Sequence, residues 1–163
     1  MRAVAYVLVL AAAALAGNYA AKHMEMRAKQ LRLLEQLCDA IAAELTFLLP
    51  TIPDLLTSLS QRQDFASLGF LQAAARNCAD YPRSWQDALL NDVDLDADER
   101  EILQTLGESL GRTELSGQLS AISLCSGRLS RLRAAAEAEQ ACKARLYRSM
   151  GVLTGIFLVI MLL

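Results

Sequence analysis

The chain has 163 residues, 54% of them hydrophobic and 21% charged, with a formal net charge of −2, one His and four Cys. That length supports one domain and that apolar fraction excludes disorder, while the near-neutral balance leaves no excess of cations to attract nucleic acid, so no nucleic-acid partner is expected. Pro and Gly are few, and the apolar runs are built from Ala and Leu rather than Val, Ile and Thr, which predicts an all-α chain.

From Ala3 to Ala21 no residue is charged. Nineteen helical residues at about 1.5 Å each reach about 28 Å, close to the hydrocarbon thickness of a bilayer, so residues 1–21 are predicted to be a transmembrane helix. The alternative is a signal peptide. Ala14-Leu15-Ala16 has the small-x-small form of a cleavage site, and loss of residues 1–16 would leave an exported helical binding protein. Charge asymmetry favours the membrane helix. Arg2 stands alone before the segment, Lys22, Arg27, Lys29 and Arg32 follow it, and Lys143, Arg145 and Arg148 precede a second uncharged segment, Met150 to Leu163. The positive-inside rule puts both flanks of the central region in the cytoplasm. The predicted organisation is a cytoplasmic helical bundle, residues 22–148, flanked by N- and C-terminal transmembrane helices at 1–21 and 149–163.

Within the bundle, Leu31, Leu34, Leu37, Ile41, Leu45 and Leu48 recur in steps of three and four and mark one buried helical stripe. Pro50-Thr51-Ile52-Pro53 breaks it. Thr51 is placed to cap a short helix with Pro53 in its first turn, Asp54 near its positive end, and Leu55, Leu56 and Leu59 on its buried face. A third helix is predicted over Phe65, Leu68, Leu71, Ala75 and Cys78, ending before Pro82. Ser84 is expected to cap a fourth that carries Trp85, Ala88 and Leu89, with the lone Trp as a core anchor. After a polar linker, Asp96 and Glu99 form a capping-box start for a helix bearing Ile102, Leu103, Leu106 and Leu110. Gly111-Arg112-Thr113 ends that helix. The last one, with Leu115, Leu119, Ile122, Cys125, Leu129, Leu132 and Ala136 in register, meets no proline before Leu163 and leads into the second membrane segment.

Charge is partitioned along the chain: residues 22–35 carry a net +2, residues 36–127 a net −9, and residues 128–148 a net +4. Basic juxtamembrane segments are drawn to anionic lipid and the acidic middle is repelled from it. Cys38, Cys78, Cys125 and Cys142 show neither metal-ligand spacing nor a disulfide framework, and are read as small buried hydrophobes in a reducing compartment. No phosphate loop, zinc-protease, nucleophile-elbow or dinucleotide motif is present, so neither catalysis nor a cofactor is expected. His23 is read as an interfacial residue rather than a catalytic one.

The acidic run Asp92, Asp94, Asp96, Asp98, Glu99 and Glu101 lacks the central Gly and twelfth-position Glu of a calcium loop. It is either a solvated linker with a helix cap or a docking surface for a basic partner. Gly151 and Gly155, with Gly17 in the first segment, fit close packing of membrane helices. Gly107 and Gly111 point to close helix packing, to a termination, or to a contact surface.

The string Leu106-Gly107-Glu108-Ser109-Leu110-Gly111-Arg112-Thr113-Glu114, followed by Gln118, resembles the LGxxLGxTDxxxQ signature of the stage III sporulation protein AB family. Arg145 to Leu153 resembles that family's KLYRSLGxL ending. Gln30 to Leu34, Glu44 with Thr51 and Pro53, and Ser84-Trp85 with Ala88-Leu89 follow in the family's order. The sequence departs from the family where an aromatic-Gly stretch normally leads to TPL, having Phe47-Leu48-Leu49-Pro50-Thr51-Ile52-Pro53 instead, and at Glu114 in place of Asp. The resemblance implies a non-enzymatic membrane component of the channel between mother cell and forespore, with a helical domain similar to the cytoplasmic domains of type II secretion F proteins. Implied partners are the cognate cytoplasmic secretion ATPase, other channel membrane subunits and the lipid bilayer, with a homo-oligomer left open. The expected partner interface comprises Asp92, Asp94, Asp96, Asp98 and Glu99, or the turn with Gly107, Gly111, Thr113, Glu114 and Gln118.

Overall fold

The computed structural model describes residues 26–162, with side chains through residue 142. Among the described residues all regular structure is helical, with no strand, as the Ala and Leu content predicts. Helix α1 covers residues 26–47, α2 is Ile52–Gln61, α3 Gly69–Arg76, α4 Arg83–Asn91, α5 Ala97–Ser109 and α6 Leu115–Leu162. Single 3-10 turns at Gln63–Phe65 and Cys78–Asp80 bracket α3. Residues Leu31–Arg131 form one compact unit, and the described residues 26–30 and 132–162 belong to a second.

In the first unit the α1 stripe is fully buried at Leu31, Leu34, Leu37 and Ile41, and nearly so at Leu45. Each such side chain contributes roughly 1.5–3 kcal/mol of transfer free energy. The stripe stops there, because α1 ends at residue 47 and Leu48 is 72% exposed. Leu49 follows in the left-handed region at φ 49°. Thr51 caps α2 as its sequence predicts: its Oγ1 accepts from the Asp54 amide at 3.4 Å and donates to Asp54 Oδ2 at 2.6 Å. Leu55, Leu56 and Leu59 are fully buried.

The predicted third helix is instead short and flanked by turns. It begins at Gly69 and buries Phe70, Leu71 and Ala74, while Ala75 and Cys78 are only half-buried. The start is fixed from elsewhere in the chain, since Asp92 Oδ2 accepts from the Phe70 amide at 2.8 Å, satisfying an orphan donor of the first turn. Ser84 is not a cap. It lies inside α4, one residue past Arg83, with its hydroxyl buried. Trp85 is the core anchor expected of it, fully buried, edge-on to Phe70 at 5.5 Å, with Nε1 donating to Leu103 O at 2.9 Å.

Cys38 on α1 and Cys125 on α6 are buried and their sulfurs meet at 3.5 Å, which brings these two helices into contact within the first unit. Cys142 is exposed and Cys78 half-buried, so only two of the four cysteines serve as buried hydrophobes. The hydrogen bond to Cys125, and then burial, push the Cys38 thiol far above its ordinary range.

In the second unit the described residues are helical, and Arg133 pairs with Glu137 at 2.9 Å along α6. The segment Ala3 to Ala21, with Gly17, and His23 lie outside the described residues. Residues 149–162 are helical, but the surroundings of Gly151 and Gly155 are outside the described side chains. Among the described residues no helix is long and apolar enough to cross a membrane.

Candidate functional site

The acidic run is a folded loop rather than a free linker. Asp92 is half-buried and uses both carboxylate oxygens internally, Oδ2 on the Phe70 amide and Oδ1 on the Asp94 amide at 2.9 Å. Arg100 reaches back from α5 and donates to three carbonyls, Leu89 at 2.9 Å, Asp92 at 3.0 Å and Leu95 at 3.1 Å. Charge-assisted bonds of this kind are about twice as strong as neutral ones, so Arg100 pins the loop. No spacing motif marks Arg100 for this role, although a single cation inside a run of carboxylates is a signal that it is structurally engaged.

Asp96 and Glu99 form the predicted capping box at the start of α5. Glu99 is buried, 1% exposed, and its Oε2 accepts from the Asp96 amide at 3.4 Å. It therefore leaves the expected interface, because its carboxylate is turned inward to close the helix start. Asp94, Asp96 and Asp98 remain exposed on the loop and first turn of α5.

The Gly107 to Gln118 segment divides in the same way. Gly107 is buried beneath Trp85, and a Cβ there would lie 2.3 Å from Trp85 Cδ1. Its carbonyl accepts from the Tyr81 hydroxyl. Burial pushes the Tyr81 phenol up, and nearby Arg112 opposes part of that shift. Gly107 is thus a packing glycine, not a surface one. Gly111 is exposed with φ 75°, the left-handed geometry that glycine adopts without a Cβ penalty, and it ends α5. Thr113 and Glu114 are exposed. Gln118 bends back over the α6 start, its Nε2 donating to Thr113 O at 2.8 Å and its amide to Glu114 O at 3.0 Å.

The two halves of the expected interface are not brought together. Arg128 of α6 pairs with Glu101 of α5 at 3.2 Å, so the acidic loop lies near the residue-128 level of α6. Gly111 lies at the other end of α5, 13 helical residues away, which is about 20 Å. Among the described residues no three His, Cys, Asp or Glu side chains converge as a metal site.

The family model for stage III sporulation protein AB matches residues 2–163. The chain belongs to the stage III sporulation protein AB family. A solved structure titled stage III sporulation protein AB superposes with a TM-score of 0.57 at 21% identity, covering 72% of this chain and 98% of that one, which shows a shared fold. No curated protein sequence matches. In the light of the family, the two glycines of the LGxxLG signature have distinct structural duties here: Gly107 seats the Trp85 ring and Gly111 turns the chain from α5 into α6.

Proposed function

We propose that this sporulation protein is a non-enzymatic platform of the mother cell–forespore channel. Residues 1–21 and 149–163 anchor it in the mother-cell membrane that surrounds the forespore, and the bundle between them faces the mother-cell cytoplasm. There it docks the cognate cytoplasmic secretion ATPase and contacts other channel subunits. Family membership over residues 2–163 supports the channel role, and the apolar ends and their basic flanks support the anchoring.

The observation that carries the docking surface is the exposed trio Asp94, Asp96 and Asp98, held on a loop that Arg100 fixes from behind. A preset array of like charges speeds and orients encounter with a basic surface. Glu101, already paired with Arg128, lies beside it. The test is charge reversal of Asp94 and Asp98 to Lys in the full-length protein, with Asp96 kept because its side chain caps α5, followed by pull-down of the ATPase at low and high salt. Loss of capture with unchanged folding supports the site, and retained capture with normal sporulation removes it.

A further inference from the structure

The opposite end of the bundle carries a feature that the acidic loop does not explain. Phe47, Leu48 and Leu49 are 83%, 72% and 67% exposed, three consecutive large apolar side chains in water. Single exposed apolar residues are ordinary, but a contiguous group marks an interaction site. Leu49 also holds φ 49°, a conformation that leucine rarely adopts, and such outliers persist where the surrounding structure enforces them. Enforcement is visible on both sides. The Leu48 amide closes the last turn of α1 onto Glu44 O at 2.9 Å, and Thr51 is tied to Asp54.

The α5–α6 turn shares this end. Ile52 lies against Gly111, where a Cβ would come within 3.1 Å of Ile52 Cγ1. The tip segments, 44–54 and 111–114, carry Glu44, Asp54 and Glu114 against Arg112. The charged side chains of the two segments that meet at this tip are therefore mainly carboxylates.

We propose that this tip is a second docking site and that its occupant is a protein presenting an apolar recess rimmed by Lys or Arg. The charge pattern selects among occupants. A bilayer with anionic headgroups repels the carboxylates. A second copy docked tip to tip would place Glu44, Asp54 and Glu114 against their own counterparts. A basic-rimmed recess buries Phe47 and Leu48 and pairs the rim at once. The site goes beyond the ATPase reading and stands or falls separately from it.

The experiment places photoreactive benzoylphenylalanine at position 48 of the full-length protein in sporulating cells, with adducts mapped to the peptide by mass spectrometry. The expected adduct is on a protein other than this chain, at an apolar peptide within a few residues of Lys or Arg. Moving the probe to position 49 in a Phe47→Asp, Leu48→Asp background lowers the yield roughly tenfold, as expected for loss of an interface anchor. Thermal unfolding stays within about 2 °C of the parent, because exposed side chains carry little fold stability. Adducts to lipid or to a second copy, no adduct at all, an adduct on an acidic peptide, or an undiminished yield in the variant would each overturn the proposal. Charge reversal at Asp94 and Asp98 is read by ATPase capture alone, so either site can fail without the other.

Discussion

Replacing Gly107 with alanine adds one methyl group at a point already occupied by Trp85, 2.3 Å from Cδ1 and 2.4 Å from Nε1. No rotation of a Cβ relieves such a contact, so the indole or α5 must move. Overpacking a core costs about 1–3 kcal/mol. Displacing the ring also strains the Nε1 bond to Leu103 O, and an orphaned buried donor costs a further 1–3 kcal/mol or so. Alanine returns about 1 kcal/mol through helix propensity. The net expectation is a loss of about 2–4 kcal/mol, a large share of the roughly 5–15 kcal/mol of an ordinary domain. Trp85 is the only tryptophan in the chain, so its fluorescence in urea titrations of the full-length protein reports this core directly. The double variant Gly107→Ala with Trp85→Phe frees space and should recover part of the loss, giving a coupling of at least about 1 kcal/mol in the cycle. If Gly107→Ala were neutral or stabilising, or if the two changes simply added, the reading of Gly107 as the seat of Trp85 would be refuted.

Gly127 is the matched control: a Cβ there meets nothing within 4 Å, so Gly127→Ala in the middle of α6 should raise stability by about 0.5–1 kcal/mol in the same titration. Asp92→Ala removes the acceptor for the Phe70 and Asp94 amides and should cost about 1–2 kcal/mol, whereas Asp98→Ala on the exposed first turn should stay within about 0.5 kcal/mol. Stability should also fall at alkaline pH. Burial raises the folded value of the Tyr81 phenol above its unfolded one, so its contribution is complete below about pH 10 and drains away above it as the unfolded chain ionises. Urea midpoints from pH 7 to 11 should decline, and Tyr81→Phe should flatten the part above pH 10; equal slopes in the two proteins would disprove the role given to Tyr81.

Much of this protein was written locally. The Thr51 cap, the Asp96–Glu99 box, the apolar stripes of α1 and α5, and the Gly111 break each depend on residues three or four apart, and they form where the spacing places them. The motif that carries the family membership is local for the same reason. What spacing could not determine depends on partners far along the chain. α3 starts at Gly69 because Asp92, 23 positions later, accepts from its first turn; Ser84 is enclosed rather than capping; Gly107 faces the indole of Trp85. The expected interface divided on the same principle. Charge and sequence proximity grouped Glu99 with Asp94, Asp96 and Asp98, but folding turned Glu99 inward and left the other three in water. Leu48 shows the converse, a residue in register with the buried stripe that is exposed because α1 ends before reaching it. Periodicity records which face of a helix a residue occupies, and only the packed neighbours decide where that face stops and what covers it.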